Sequence, residues 1–134
     1  MLLTLEKARK AIEAAEKKAS ELNIKVTVVI VDENGILIAA NRMDGALSVS
    51  PIFATAKAFT AGTLGLPTGE IAKYAGPDKP YYGVSALNEG KFTTISGGLP
   101  IVLGGKLSGG IGVGGSYDVT EDTACAQAGV DALK

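Results

Sequence analysis

The sequence predicts an α/β (α+β) fold, in which helices pack on the faces of a mainly antiparallel sheet. Near the N-terminus, apolar residues recur at intervals of three and four, as they do on one side of a helix. Further along, short apolar runs are joined by glycine-containing turns, which is typical of β-hairpins. With 134 residues the chain is long enough for one core, and we predict a single domain over 1–134.

The first predicted element is a helix whose apolar stripe runs from Leu5 to Leu22. Thr4 is placed to cap its start, and Asn23 is placed to end it. The next element is the β-branched run Val26–Val31, which is typical of a strand buried on both faces.

A hairpin and two helices are predicted to follow. Asn34–Gly35 is a strong signal for a tight turn, and Ile36–Ala40 is the returning strand. Ser50–Pro51 predicts an N-cap serine with proline in the first helical position. The alanine-rich helix that begins there covers Ile52–Thr63, and Thr68–Tyr74 forms a short second helix.

Three more strands are predicted, at Lys91–Ile95, Leu99–Leu103 and Leu107–Val113. Nine of the 18 glycines lie in the segment 97–116, which contains the last two of these strands. Glycine weakens a strand unless something must come close to its backbone. The glycines therefore indicate the wall of a pocket or a subunit contact, or they serve only turns and bulges.

The last predicted element is a helix over 119–133. Asp118 and Glu121 resemble a capping box at its start. Gly110–Gly115 contains the letters GxGxxG, but only one helix follows it, with no second parallel strand. A dinucleotide site is therefore not predicted.

Composition argues against several functional classes. The net charge is −1, so no basic surface for nucleic acid is expected, and with no Trp and 5% aromatic residues base stacking is disfavoured. No apolar run approaches the roughly 20 residues that span a bilayer. The N-terminus lacks the basic and apolar regions of a signal peptide, so we expect a cytoplasmic protein without a membrane partner.

The chain contains no histidine and one cysteine. This excludes nucleophile pairs that need histidine, as well as zinc sites that need histidine or four cysteines. Cys125 falls in the last helix, where a small buried hydrophobe is favoured over a nucleophile. Spacing pairs none of the candidate acids, which are Glu70, Asp78, Glu89 and Asp118.

Two cations are candidates for binding an anion. Arg42 follows the second strand, where it either holds a turn or binds a carboxylate, and Lys57 either faces solvent or enters a site. We predict a pocket for a small anion between the alanine-rich helix, the end of the second strand and the Gly97–Pro100 turn. The predicted ligand-binding residues are Arg42, Lys57, Thr60, Gly97, Gly98 and Pro100.

The sequence contains several blocks that are specific only in combination: Val31–Leu37 with Arg42–Ala46, Lys57–Ala61, and Gly97–Ile101 with Gly109–Val113 and Ala126–Gly129. Together these blocks resemble the GlcG/HbpS-like family, the haem-degrading-domain family related to the PduO C-terminal domain. The resemblance implies a profilin-like three-layer α/β/α fold with a five-stranded sheet, and homo-oligomers, often of dimers. It also implies a poorly defined biochemistry, because some members bind or help degrade haem and others have no assigned activity. Gly114 stands where relatives commonly have Ser.

We therefore expect a cytosolic, oligomeric small-ligand-binding or accessory protein. One alternative is an enzyme acting on a small carboxylate or carbonyl metabolite, with Arg42 as anion clamp and Lys57 or a carboxylate as acid–base group. The other is a haem-binding protein that uses Tyr, Met43, Lys57 or Cys125 as axial ligand. The absence of histidine argues against haem, and no other cofactor is predicted.

Overall fold

Helices cover both faces of an antiparallel sheet in the structure, a computed structural model that describes residues 2–134. The sheet is open and has four strands in the order β2-β1-β4-β3. The elements are α1 (Leu5–Glu21), β1 (Thr27–Asp32), β2 (Leu37–Arg42), α2 (Ser50–Leu64), α3 (Thr68–Ala75), the 3₁₀ segment 84–90, β3 (Gly98–Leu103), β4 (Lys106–Gly114) and α4 (Val119–Asp131).

Alternation along β1 divides the core between the two faces of the sheet. Val28 and Ile30 belong to the larger apolar cluster, together with α1 and α4. Val29 and Val31 pack on the other side, against Ala54 and Ala58 of α2. Both faces of β1 are thus buried, as its β-branched sequence predicts.

The predicted strand at Lys91–Ile95 is wrong, so the sheet has four strands and not five. This segment bonds to a helix instead of a strand, because the backbone N–H of Thr93 donates to the hydroxyl of Thr60 on α2 at 2.9 Å. The ring of Phe92 meets the ring of Phe59 edge-on, with 5.1 Å between centroids.

The helix starts follow the sequence signals in part. Thr4 caps α1 through a bond from the N–H of Lys7, and Asn23 beyond its end has a φ of 59°, as predicted. The prediction of Ser50 as N-cap is wrong, because α2 already includes it. Its hydroxyl turns inward and bonds to Leu47 O at 2.7 Å and to the hydroxyl of Thr27 at 2.8 Å.

Alternate glycines of β4 bring α2 directly onto the sheet. A Cβ at Gly112 would lie 2.1 Å from the carbonyl oxygen of Ala54, and one at Gly110 would lie 2.5 Å from that of Ala58. These glycines therefore serve close approach, but the element that approaches is a helix of the same chain, which is neither the pocket wall nor the subunit contact that the sequence indicates. This contact fixes α2, and with it the position of its one charged side chain.

Candidate functional site

That charged side chain, Lys57, lies inside the protein and is 2% exposed. Its ammonium donates to Oδ2 of Asp122 at 3.0 Å and to the carbonyl oxygen of Val113 at 2.8 Å. The other carboxylate oxygen of Asp122 accepts the backbone N–H of Ser116 at 3.0 Å. The pair therefore joins α2, the end of β4 and the first turn of α4 in one buried network.

Burial acts on both members of this pair. It lowers the pKa of Lys57 and raises the pKa of Asp122, because a charge is less stable away from water. Their mutual attraction and hydrogen bond oppose both shifts. Both side chains are 2% exposed, so the pair holds the three segments together away from bulk solvent.

Next to this network lies an open cavity of about 420 Å³, here called the loop groove. Three connecting segments form it, before β1, before α2 and between β4 and α4. Its lining residues are Ile24, Lys25, Gly45, Leu47, Gly115, Ser116, Tyr117, Asp118 and Glu121.

Internal hydrogen bonds hold one wall of the loop groove. Ser116 is fixed through its N–H by Asp122, and its hydroxyl donates to Glu121 at 2.6 Å. Asp118 caps α4 by accepting the N–H of Thr120 at 2.9 Å. The predicted capping box does not close, because the N–H of Asp118 donates to the hydroxyl of Ser116 instead of Glu121.

The opposite wall is held by Arg42, whose guanidinium donates to the carbonyl oxygen of Ala46 at 3.1 Å. Ala46 lies between Gly45 and Leu47, which both line the groove. Arg42 and Lys57 therefore stabilise opposite walls of one cavity, although they do not contact each other.

Two side chains on the groove remain available to a ligand. Within residues 2–134, Lys25 takes part in no ion pair, and it is exposed. Tyr117 is 93% exposed. Ile24 and Leu47 supply apolar surface beside them. The groove thus combines one cation without an ion-pair partner in residues 2–134, one phenol and the carboxylates of Asp118 and Glu121 with the apolar surface of Ile24 and Leu47.

The other residues of the predicted anion site lie apart from this groove. Gly97 and Gly98 pass next to Lys57. A Cβ at Gly97 would lie 2.7 Å from the ammonium of Lys57, and a Cβ at Gly98 would lie 2.4 Å from its carbonyl oxygen. Thr60 is buried and bonds to the loop before β3, and Pro100 is half-buried and pairs with Gly110 in the sheet. An anion site over all six residues stays a prediction.

Sequence reasoning missed Asp122. The four acids that it considered instead all lie at the surface. The signal was present in α4, where Asp122 shares helical spacing with the small residues Cys125, Ala126 and Gly129. An acid on the apolar side of a helix requires a buried partner, and Lys57 on an alanine-rich helix is such a partner.

Cys125 is fully buried, as predicted, and its burial raises the pKa of its thiol to about 11. Across residues 2–134, no group of three or more acidic or cysteine side chains is placed to hold a metal ion. No helix in that range is both long and apolar enough to cross a membrane.

Comparison with known proteins supports the family resemblance that the sequence blocks indicate. The model of the family described as haem degrading protein HbpS-like matches residues 3–131. The chain belongs to this HbpS-like family. A 15.0 kDa uncharacterised protein from the dhaT-dhaS intergenic region of Citrobacter freundii is 36% identical, over 96% of this chain and 90% of the relative.

A second relative is longer, and two solved structures share the fold. The corrinoid adenosyltransferase PduO of Citrobacter freundii is 33% identical over 99% of this chain, which spans 39% of PduO. The PduOC:haem complex has a TM-score of 0.93 at 32% identity, covering 98% of this chain and 95% of that one. The structure of a double mutant of Streptomyces reticuli HbpS has a TM-score of 0.92 at 34% identity, and the match covers 100% of this chain and 88% of that one.

Proposed function

We propose that this HbpS-like protein is a cytoplasmic, homo-oligomeric accessory protein that binds a small carboxylate in the loop groove. The observation that carries the proposal is the ammonium of Lys25, which takes part in no ion pair within residues 2–134, beside the apolar side chains of Ile24 and Leu47 in a cavity of about 420 Å³. The two carboxylates that also line the cavity each accept a bond through one oxygen, Asp118 from the N–H of Thr120 and Glu121 from the hydroxyl of Ser116. A carboxylate satisfies the cation, and an apolar or aromatic body fits the walls. The residues Arg42 and Lys57, predicted as ligands, enter this proposal as supports of the two walls.

Binding is favoured over catalysis because the reactive groups are already engaged. The ammonium of Lys57 is buried and bonded to a carboxylate and a carbonyl, so it is not available as a general acid or base. The thiol of Cys125 has a pKa raised to about 11, which leaves it protonated and unreactive at neutral pH. An enzyme acting through these groups would have to break the buried network first.

Self-association is supported by the outer surface of α2. Its only charged residue, Lys57, is buried, so its solvent side carries no charge. Ile52 is 69% exposed and Phe53 is 44% exposed on that side. An exposed helix without charges is typical of an element that another subunit covers.

A thermal-shift screen with matched ligands tests the binding proposal. Small aromatic and branched carboxylates are compared with the corresponding alcohols, in wild type, in Lys25→Met and in the control Lys106→Met, which changes an exposed lysine outside the groove. At 100-fold its dissociation constant a ligand adds about 2.7 kcal/mol to the free energy of unfolding. We expect some carboxylates, but no alcohols, to stabilise wild type and the control, and Lys25→Met to lose at least 10-fold in affinity. Equal binding by Lys25→Met would refute the site.

A haem site without histidine is the second candidate, supported by the exposed phenol of Tyr117 on the same groove. Of the other non-histidine ligands, Lys57 and Cys125 are buried and the sulfur of Met43 accepts the N–H of Val26 at 3.5 Å. The side chains of Tyr74, Tyr81 and Tyr82 are exposed but do not line this groove. We expect weak haemin binding without a sharp Soret band. A stoichiometric, sharp complex that Tyr117→Phe abolishes would establish tyrosine ligation and overturn this expectation.

A further inference from the structure

The charged side chains that line the loop groove lie on different walls and do not pair with one another. The stem of Lys25 lies against the segment before α2, because a Cβ at Gly45 would lie 3.8 Å from its Cγ. Asp118 and Glu121 belong to the wall formed by the start of α4. Within residues 2–134, Lys25 forms no ion pair with either acid. The groove therefore holds opposite charges with open space between them.

Each of the two acids keeps one carboxylate oxygen without a bond. Oδ1 of Asp118 accepts the N–H of Thr120, and Oε1 of Glu121 accepts the hydroxyl of Ser116. Within residues 2–134, no donor bonds to Oδ2 of Asp118 or to Oε2 of Glu121. The bonds from Thr120 hold the pKa of Asp118 below its ordinary value, so this carboxylate is charged at neutral pH. The start of α4 thus presents acceptors and negative charge to the groove.

This balance of charge does not suit a ligand that carries a carboxylate alone. One lysine and two acids give the lining a formal charge of −1. A carboxylate bound by Lys25 would share the groove with two like charges, which repel it. The N-terminus of α4, where an anion could otherwise bind, is occupied by the carboxylate of Asp118. A ligand that also brings one positive charge removes this repulsion.

We propose that the loop groove selects zwitterionic amino acids with an apolar side chain. The carboxylate of the ligand bonds to the ammonium of Lys25, and its own ammonium donates to the unbonded oxygens of Glu121 and Asp118. Its side chain packs on Ile24 and Leu47. The inference rests on the carboxylate site of the proposed function and narrows the class of ligand that this site takes.

Glu121 is the stronger of the two partners for the ammonium of the ligand. It is half-buried, whereas Asp118 is exposed, and solvent ions screen a half-buried charge less. The hydroxyl of Ser116 holds the carboxylate of Glu121 at 2.6 Å, and the N–H of Ser116 is held in turn by Asp122. The buried pair of Lys57 and Asp122 therefore positions the group that recognises the ammonium.

Matched ligands separate the contributions of the two charges. Phenylalanine and leucine are compared with acids that lack the amino group, hydrocinnamate and isocaproate, and with amines that lack the carboxylate, phenethylamine and isopentylamine. Binding is measured by isothermal titration calorimetry with wild type, Lys25→Met and Glu121→Gln, which keeps an acceptor for Ser116 and removes the charge. The control Glu33→Gln makes the same exchange at an exposed residue outside the groove.

We expect wild type and Glu33→Gln to bind the amino acids at least about 10-fold more tightly than the acids or the amines. Glu121→Gln should lose at least about 10-fold in affinity for the amino acids, yet bind the desamino acids as well as wild type or better, because a repulsive charge is gone. General damage to the groove would weaken both classes together.

Two results would overturn the selectivity for amino acids and leave the carboxylate site in place. One is an equal loss of both ligand classes in Glu121→Gln. The other is desamino acids that bind wild type as tightly as the amino acids, with both lost in Lys25→Met. If no ligand of the panel binds, or none depends on Lys25, the carboxylate site itself is refuted, and the amino-acid site with it. If Glu121→Gln does not fold, Asp118→Asn is measured and judged by the same criteria.

Discussion

Removing one member of the Lys57–Asp122 pair should cost far more stability than removing both. Asp122→Ala leaves an ammonium that is 2% exposed with only the carbonyl oxygen of Val113 as partner. An uncompensated buried charge costs about 3–5 kcal/mol. For a domain of this size that loss lowers the melting temperature by roughly 10–20 °C. The double variant Lys57→Met/Asp122→Leu replaces the pair with apolar side chains of similar volume and should cost at most about 2 kcal/mol.

The assay is urea unfolding followed by circular dichroism, with the slope compared among variants to confirm two-state behaviour. Asp131→Ala serves as the matched control, because it removes an exposed carboxylate from the same helix and should leave the midpoint nearly unchanged. The double-mutant cycle isolates the coupling between the two side chains. Single variants that each cost under about 1 kcal/mol, or a double variant whose cost equals the sum of the singles, would refute the reasoning.

Three further predictions concern the glycine contact and two titrating groups. Gly112→Ala should cost about 3 kcal/mol or more, because its Cβ would lie 2.1 Å from a backbone oxygen of α2; Gly76→Ala, with 3.9 Å to its nearest neighbour, is the control in the same urea assay. Burial raises the pKa of the Cys125 thiol from 9.0, its ordinary value, to about 11 in the folded protein. The stability that this thiol contributes is therefore complete below pH 9 and is lost as the pH rises toward 11. Wild type should therefore lose about 2–3 kcal/mol more than Cys125→Ala over that range; parallel curves would contradict this. The bonds from Thr120 hold the pKa of Asp118 below 3.8, so its contribution is present above that pH and is lost as the pH falls through the folded value. The stability gap between wild type and Asp118→Asn should close in acid, and a gap that widens there would be evidence against the cap.

Elements with local signals are predictable from this sequence, and the exception shows the limit of such signals. The caps at Thr4 and Asn23 and the buried strand β1 follow from residue types within a few positions. The segment Lys91–Ile95 alternates like a strand, yet its partners are Thr60 and Phe59, more than 30 positions earlier on a helix. No local pattern distinguishes a segment that crosses a helix from one that joins a sheet.

The same reasoning explains how much of the site could be predicted. Lys57 was a candidate for binding an anion, with its direction left open between solvent and a site, and that direction depends on Asp122, 65 positions away. The loop groove combines three connecting segments distant in sequence, and none carries a motif. The letters GxGxxG occur at Gly110–Gly115, where Gly110 and Gly112 of β4 leave room for the backbone of α2 and Gly115 for the backbone before β1.

The bare glycine face of β4 also restricts how this protein can vary. Where side chains separate a helix from a sheet, volume lost at one position can be restored at another, and cores tolerate many such exchanges. At Gly110 and Gly112 the atoms of α2 that a Cβ would meet are main-chain atoms, so no substitution on α2 can make room for a side chain there. In a saturation-mutagenesis library, we expect Gly110 and Gly112 to accept almost nothing, whereas Val28 and Ile30 on the opposite face exchange with other aliphatic residues. The two layers of one small core would then differ sharply in their freedom to diverge.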